Sequence, residues 1–398
     1  MAGIVVIGAG QAAAAFVGKL RACGHAGPVT VIGEEHVPPY QRPPLSKAYL
    51  KGEMVLERLI LRPQTWYREN GVDLRLDTRA DAIDVGDRKV IAGGHEIPYS
   101  ELVLCTGSVP RRLPPGLGGT LEGVHVVRNL ADVDGMAPRM TRGGRLLVVG
   151  GGYIGLEAAA VAASLGMEVT LIEAADRILQ RVASRETSDF VRGVHEEHGV
   201  TIREGTGLAR LTGEGHVTGA VLADGTELAC DMVVVGIGVT PATALAEAAG
   251  IETDNGIKVD ARGRSSAPHV WAAGDCASLP WRGTRIRLES VQNAIDQAEC
   301  VAENIAGAQK DYAPVPWFWS DQYDLKLQIA GLNTGYDRVV VRPGTSHWYY
   351  RGDALLAVDA MNDPRAYMVG KRLLEAGRSP EPESVADPET DLKALLKG

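Results

Sequence analysis

The stretch IVVIGAGQAAAAFVGKLRACGHAGPVTVIGE (residues 4–34) decides the fold, and LLVVGGGYIGLEAAAVAASLGMEVTLIE (residues 146–173) repeats it. Each copy is a short apolar run, a G-x-G-x-x-[A/G] turn, an alanine-rich stretch at helical period, a second β-branched run and a closing acid. The small residues are Gly8, Gly10 and Ala13 in the first copy, and Gly150, Gly152 and Gly155 in the second. The first glycine turns the chain tightly out of the strand. The second has no side chain, so the backbone can approach a pyrophosphate, and the third small residue lets helix and strand close together. The phosphates then sit at the helix N-terminus, where unpaired amides and the helix dipole favour negative charge. Glu34 and Glu173 close the second strands, where a carboxylate accepts hydrogen bonds from a ribose. A lone glycine turn would be a weak signal. Two in full context, about 140 residues apart, read as two dinucleotide sites in one chain; two turns that bind nothing would leave both acids unexplained.

The rest of the chain is that of an ordinary globular protein: 398 residues, 45% hydrophobic and 23% charged, which excludes disorder as its main state. Its length allows two to three domains. The net charge of -9, with no long Lys/Arg run, argues against nucleic acid as a partner. No apolar run approaches the roughly 18 residues that span a bilayer, so no membrane partner is expected. The five cysteines (Cys23, Cys105, Cys230, Cys276, Cys300) show neither C-x-x-C nor zinc-site spacing, so no metal is expected. The opening MAGIVVIGAG passes into strand and glycine turn with no leader pattern, and reduced thiols in a cytoplasmic protein are the expectation. Nine of the 20 aromatic residues fall between Tyr312 and Tyr350, so the C-terminal part is compositionally a separate piece.

Two dinucleotides in one chain suggest electron traffic between a bound flavin and a diffusing nicotinamide. Other segments fit this. LVLCTGSVPR (102–111) is a strand ending in a Thr-Gly turn, and MVVVGIGVTP (232–241) is a strand running into a glycine turn closed by Pro241. VWAAGDCA (270–277) is a strand ending in Gly-Asp, with Asp275 placed to bond a ribityl chain. With YQRPPLSKAYL (40–50), RLESVQNAIDQA (287–298) and WFWSDQYD (317–324), the pattern resembles the FAD flavoproteins of the glutathione reductase fold. Within them it is similar to the NADH-dependent ferredoxin reductases, the family of putidaredoxin reductase and the dioxygenase-system reductases. The similarity runs from Ile4 to about Tyr367. PPLSK and W-x-W-S-D-Q are specific to this branch, whereas the glycine turns are not.

The resemblance implies an α/β chain with two Rossmann-like dinucleotide-binding domains, for FAD and NAD, plus a C-terminal α+β domain. The FAD domain would comprise residues 1–111 and 242–314, with the NAD domain inserted at 112–241 and the C-terminal domain at 315–398. RRLPPGLGG (111–119) reads independently as a linker. On the FAD side the resemblance implies Gly8, Gly10, Ala12, Ala13, Glu34, Arg42, Lys47, Ala80, Thr106, Gly107, Arg128, Gly274, Asp275, Val291 and Trp319. On the NAD side it implies Gly150, Gly152, Tyr153, Ile154, Gly155, Glu173 and Gly238. Val291 would open a helix whose N-terminus faces the pyrimidine end of the flavin, where reduction leaves negative charge; a core residue at a helix start is the plain alternative. Lys47 and Glu157 are the implied catalytic pair, orienting the nicotinamide and flavin for hydride transfer. From spacing alone, the plain alternative is that Lys47 is a solvated surface lysine and Glu157 a partner of the helix dipole.

Residues 36–50 hold no cysteine, so the thiol relay of the disulfide reductases is missing and electrons must leave from the flavin itself. The expected activity is therefore that of an NADH-dependent ferredoxin reductase. FAD would be bound, NADH would be co-substrate, and single electrons would pass to a 2Fe-2S ferredoxin serving a haem-thiolate monooxygenase or Rieske dioxygenase. A rubredoxin reductase, an NADH oxidase and an NADH-sensing flavoprotein of the apoptosis-inducing-factor type are the alternatives. A ferredoxin-docking face is expected near Trp319, with Arg282, Arg285, Arg287 and Lys326 as its basic residues.

Overall fold

The structure, a computed structural model, describes residues 2–344 and 346–397. The chain divides into two compact units. The first holds the stretch up to Arg42, Val55–Val109 and Thr240–Pro314; the second holds Pro43–Met54, Pro110–Val239 and the chain from Val315 onward.

In the first unit the apolar runs of the first repeat form the strands Gly3–Ile7 and Val29–Ile32, joined by the helix Gln11–Ala22. They pair in parallel, Ile4 opposite Val29. The sheet extends to Val72–Arg75 on one side and to His95–Leu104 and Val270–Ala272 on the other, all parallel. The order 72–75, 29–32, 3–7, 95–104 is the doubly wound arrangement, with an antiparallel meander through Lys89–Ala92 and Ala80–Asp84 attached to His95–Leu104. Helices Gln11–Ala22 and Val291–Ile305 pack together over one face, burying Phe16, Val17, Leu20, Ala298 and Val301. Tyr99, Leu102, Leu104, Ala246 and Ile251 lie in the core of the other face.

The second unit repeats the plan. Its parallel sheet runs Thr201–Arg203, Glu168–Ile172, Arg145–Val149, Met232–Val235, Val124–His125, with the helix Tyr153–Ser164 leaving the glycine turn. The aromatic-rich part forms a five-stranded antiparallel sheet in the order Trp317–Gln322, Leu325–Gly331, Ala354–Met361, Ser346–Arg351, Arg338–Arg342. Helix Pro364–Glu375 covers it, and Trp348, Tyr350, Val358 and Leu373 make the core between. One boundary differs from expectation. Pro43–Met54, which carries Lys47, belongs with the second unit and not with the first-domain residues around it. Its one-turn 3-10 helix Pro43–Ser46 packs on the helix Tyr153–Ser164. Among the described residues no helix is long and apolar enough to cross a membrane.

Candidate functional site

The two glycine turns have matching backbones. Gly8 has φ +104 and Gly150 φ +107. A Cβ on Gly8 would lie 2.2 Å from the carbonyl oxygen of Cys105, and one on Gly150 2.5 Å from that of Gly236. Only glycine fits either place. The second glycine of each turn faces open space, with nothing within 4 Å of a Cβ on Gly10 and only the Gly236 oxygen, at 3.9 Å, near one on Gly152. Neither helix that follows has a side-chain cap, whereas every other described helix of seven or more residues has one, from Asn129, Ser184, Ser290 or Asp363. With glycine at both N-caps, Gly10 and Gly152, the missing side-chain cap costs each helix only about a few tenths of a kcal/mol and leaves the first amides free to bind an anion. Uncapped amides over an open backbone cradle are what a pyrophosphate needs, so the residues present fit a dinucleotide at each turn.

The acids differ. Glu173 Oε2 accepts from the Gly151 amide at 2.7 Å and Oε1 from the Ala175 amide at 2.8 Å. Arg177 does not turn toward it: its guanidinium donates to the carbonyl oxygens of Ser184 at 3.0 Å and Ala183 at 2.8 Å, and to the Ser188 hydroxyl. Glu34 is 72% exposed, and its ion pair with Arg79 is loose, at 3.8 Å.

Around the first turn, a Cβ on Gly274 would lie 3.3 Å from that of Ala12, and the Gly274 amide donates to Gln297 at 2.9 Å. Asp275 accepts from Ser108 at 2.9 Å, and Thr106 donates to the Ala242 carbonyl at 2.7 Å beside Gly107, which has φ +71. Arg42 donates to Glu35 at 2.6 Å and lies over the Tyr40 ring. Ala80 opens the strand Ala80–Asp84. Helix Val291–Ile305 does begin at Val291, and its cap residue Ser290 takes the Asn293 amide.

Around the second turn, Ile154 is 42% exposed. The Tyr153 hydroxyl is buried with no hydrogen-bond partner among the described residues, its ring lies 5.0 Å from that of Phe318, and burial pushes its phenol up. Gly238, at φ +93, follows the strand Met232–Val235. The Arg128 amide donates to Asp132 in the capping box that opens Leu130–Met136.

Lys47 and Glu157 meet. Glu157 lies one turn into the helix Tyr153–Ser164, 2% exposed, and Lys47 Nζ stands 2.7 Å from its Oε2. The same oxygen accepts from Ser46 Oγ at 2.5 Å, and Oε1 accepts from Ser320 Oγ at 2.6 Å. A buried carboxylate needs such partners, since each missing one would cost about 1–3 kcal/mol. The alternative of a solvated surface Lys47 is thereby excluded. Ser46 and Ser320 are the residues sequence reasoning passed over. Both lie inside quoted motifs, but nothing local marks a serine whose partner stands 111 or 163 positions away.

The basic patch needs correction. Arg285 donates to the Val259 carbonyl at 2.9 Å and to that of Ser278, and Arg287, 10% exposed, pairs with Glu289 at 2.5 Å. The Arg287 charge is paired at home and the Arg285 guanidinium is held on backbone carbonyls, whereas Arg282 is exposed and lies over the Trp281 ring. Lys326 is exposed, and with Trp317, Trp319 and Asn362 it lines an open cavity of about 490 Å³. Trp317 and Trp319 share a face, ring centroids 5.6 Å apart, as strand alternation requires.

Residues 2–298 match the model of the pyridine nucleotide-disulphide oxidoreductase family, and residues 317–396 match that of the reductase C-terminal domain. The chain belongs to this family. It is 44% identical to a ferredoxin--NAD(P)(+) reductase of a Sphingomonas species, over 99% of this chain and 97% of the relative. It is 38% identical to putidaredoxin reductase of Pseudomonas putida, over 99% and 96%. Among solved structures it superimposes with a TM-score of 0.96 on putidaredoxin reductase in its covalent complex with putidaredoxin, at 37% identity over 100% of this chain and 98% of that one. These matches place it in the ferredoxin reductase branch, as PPLSK and W-x-W-S-D-Q imply. All five cysteines are free, four of them buried, with burial pushing Cys105 and Cys276 up.

Proposed function

We propose that this chain is an FAD-containing reductase that takes a hydride from NADH and hands single electrons to a 2Fe-2S ferredoxin serving an oxygenase. The observation that carries the reading is the pair of uncapped glycine-turn helices in one chain, each in its own unit. The first turn, with Gly8, Gly10, Ala12, Ala13, Glu34, Thr106, Gly107, Gly274 and Asp275, would hold FAD. The second, with Gly150, Gly152, Ile154, Gly155 and Glu173, would hold NADH. Bound flavin supplies the capacity to accept two electrons as a hydride and to release them one at a time.

The protein's own part is positioning. Lys47 and Glu157 neutralise one another in a nearly dry place and present a fixed ammonium at the nicotinamide end of the second site. Glu173 takes the adenosine ribose and repels a 2′-phosphate, which supports NADH over NADPH. Arg42, Ala80, Arg128, Val291 and Trp319 stay assigned to FAD, and Tyr153 and Gly238 to NADH, by resemblance. The docking face is placed at Trp319 and Lys326, and the protein in the cytoplasm.

A second reading is favoured by one observation: a rubredoxin-NAD(+) reductase of Pseudomonas putida is 37% identical over 91% of this chain. The FAD-loaded protein should therefore be offered NADH with a 2Fe-2S ferredoxin, a rubredoxin or oxygen alone. Ferredoxin is expected to be reduced fastest, and Trp319→Ala to slow that step more than ferricyanide reduction. Faster rubredoxin reduction would move the assignment to the second reading.

A further inference from the structure

We propose that Ser320, Gln322, His195 and Tyr323 form a one-way chain of hydrogen bonds that positions Glu157 against Lys47 and thereby sets the rate of hydride transfer. The inference rests on the reading of Lys47 and Glu157 as part of the hydride site. Four links lead away from Glu157. Ser320 Oγ stands 2.6 Å from Glu157 Oε1, Gln322 Nε2 3.1 Å from Ser320 Oγ, His195 Nε2 2.8 Å from Gln322 Oε1, and Tyr323 Oη 3.3 Å from His195 Nδ1.

Donor and acceptor chemistry fixes the direction of every link. A carboxylate only accepts, so Ser320 spends its one proton on Glu157. Ser320 must then accept from Gln322, which turns the amide nitrogen toward Ser320 and the amide oxygen toward His195. That oxygen can only accept, so His195 carries its proton on Nε2. Its bare Nδ1 then takes the Tyr323 hydroxyl. All four protons point toward Glu157.

The surroundings suit a chain that is meant to stay in one state. Ser320 and Gln322 alternate on one face of the strand Trp317–Gln322 and are fully buried, as is His195 on the helix Arg185–Glu197. Burial holds His195 down at about 4, so the ring is neutral at working pH, and the bond to Gln322 opposes that shift only in part. Tyr323 occupies the two-residue turn to Leu325–Gly331 at φ +55, where glycine or asparagine is the ordinary choice. It lies edge-on to His195 at 5.2 Å and stacks on His198 at 3.7 Å, closing the outer end of the chain. The groups facing Glu157 itself are Lys47 and Ser46 from the 43–47 segment, the neutral Ser320, and Tyr153 on its own helix.

The test uses the FAD-loaded protein and two readouts. Nitrogen-15 correlation spectra of labelled histidine should show His195 as the Nε2–H tautomer at neutral pH; an Nδ1–H tautomer or a charged ring would overturn the chain. In anaerobic rapid mixing with saturating NADH, Ser320→Ala should slow flavin reduction about tenfold while half-saturation moves less than about twofold, as expected when a charge-assisted bond that aligns the reaction is lost. Ser320→Thr, which keeps the hydroxyl, should restore the rate, and His195→Phe should slow it about threefold. Wild-type rates in Ser320→Ala, or a defect confined to half-saturation, would overturn the positioning role. Failure of NADH to reduce the wild-type flavin would instead remove the hydride-site reading and the rate claim with it, while the tautomer result would still decide whether the chain exists.

Discussion

The two glycine turns share a backbone and differ in how much is settled before anything binds. At the second turn the acid is already fixed: Glu173 is held by two backbone amides, and Arg177 is tied off elsewhere. At the first, Glu34 stands in solvent with a loose ion pair. The third small residue differs too. Ala13 fits fully buried, but a Cβ on Gly155 would lie 2.1 Å from the Gly150 carbonyl oxygen. The second turn is therefore wound more tightly against its helix. The contrast suits the proposed division of labour. A resident cofactor binds once and can order its own acid, whereas a diffusing one must repeat that ordering each turnover unless the site is preorganised.

The largest effect expected from this contrast comes from exchanging the third residues. Gly155→Ala drives a methyl into backbone and should weaken NADH binding by more than about a hundredfold, read from NADH saturation of flavin reduction. Ala13→Gly only loosens a helix, costs about 1 kcal/mol or less, and should leave FAD bound. Equal tolerance at both positions would break the comparison.

A smaller effect separates the units in acid. His195 and Asp359, both buried, lie in the second. Burial holds His195 down at about 4, so the stability tied to its neutral form is complete above the ordinary histidine value and is lost as pH falls toward 4. Burial pushes Asp359 up to about 6 against donation from Tyr349 and Thr187, so its contribution has the opposite sign and is lost as pH rises through 6. Each amounts to something on the order of 3 kcal/mol at most, and between pH 4 and 6 the two oppose one another. Asp359→Asn removes the compensation. Its melting temperature should fall more steeply on acidification than the wild type's, by a few degrees. An unchanged slope would show that these groups do not govern the second unit.

The smallest effect is none at all. Blocking exposed thiols should leave NADH-to-flavin reduction intact, because Cys23 alone is exposed. A second pair of electrons taken up in anaerobic titration, and lost on blocking, would contradict this.

What was legible in the sequence follows from the range of the interactions. Gly8, Gly10, Gly150 and Gly152 could be read because glycine spacing encodes backbone geometry within a few residues. The meeting of Lys47 with Glu157 came only through resemblance, and Ser46, Ser320 and His195 not at all, since their contacts join distant segments through common residue types. The arginines before Val291 misled for the same reason: a charge in sequence looks available, while Arg285 and Arg287 spend theirs on carbonyls and Glu289.

The most direct test of the preorganised second site is kcat/KM for NADH and for NADPH in wild type, Glu173→Gln and Glu34→Gln. A carboxylate about 4 Å from a 2′-phosphate repels it by roughly 4 kcal/mol at an effective dielectric of 20, reduced to about 1–3 by solvent. Wild type and Glu34→Gln should therefore prefer NADH by about ten- to hundredfold, and Glu173→Gln should lose most of that preference. Equal values for the two cofactors in wild type, or a preference untouched by Glu173→Gln, would contradict the account.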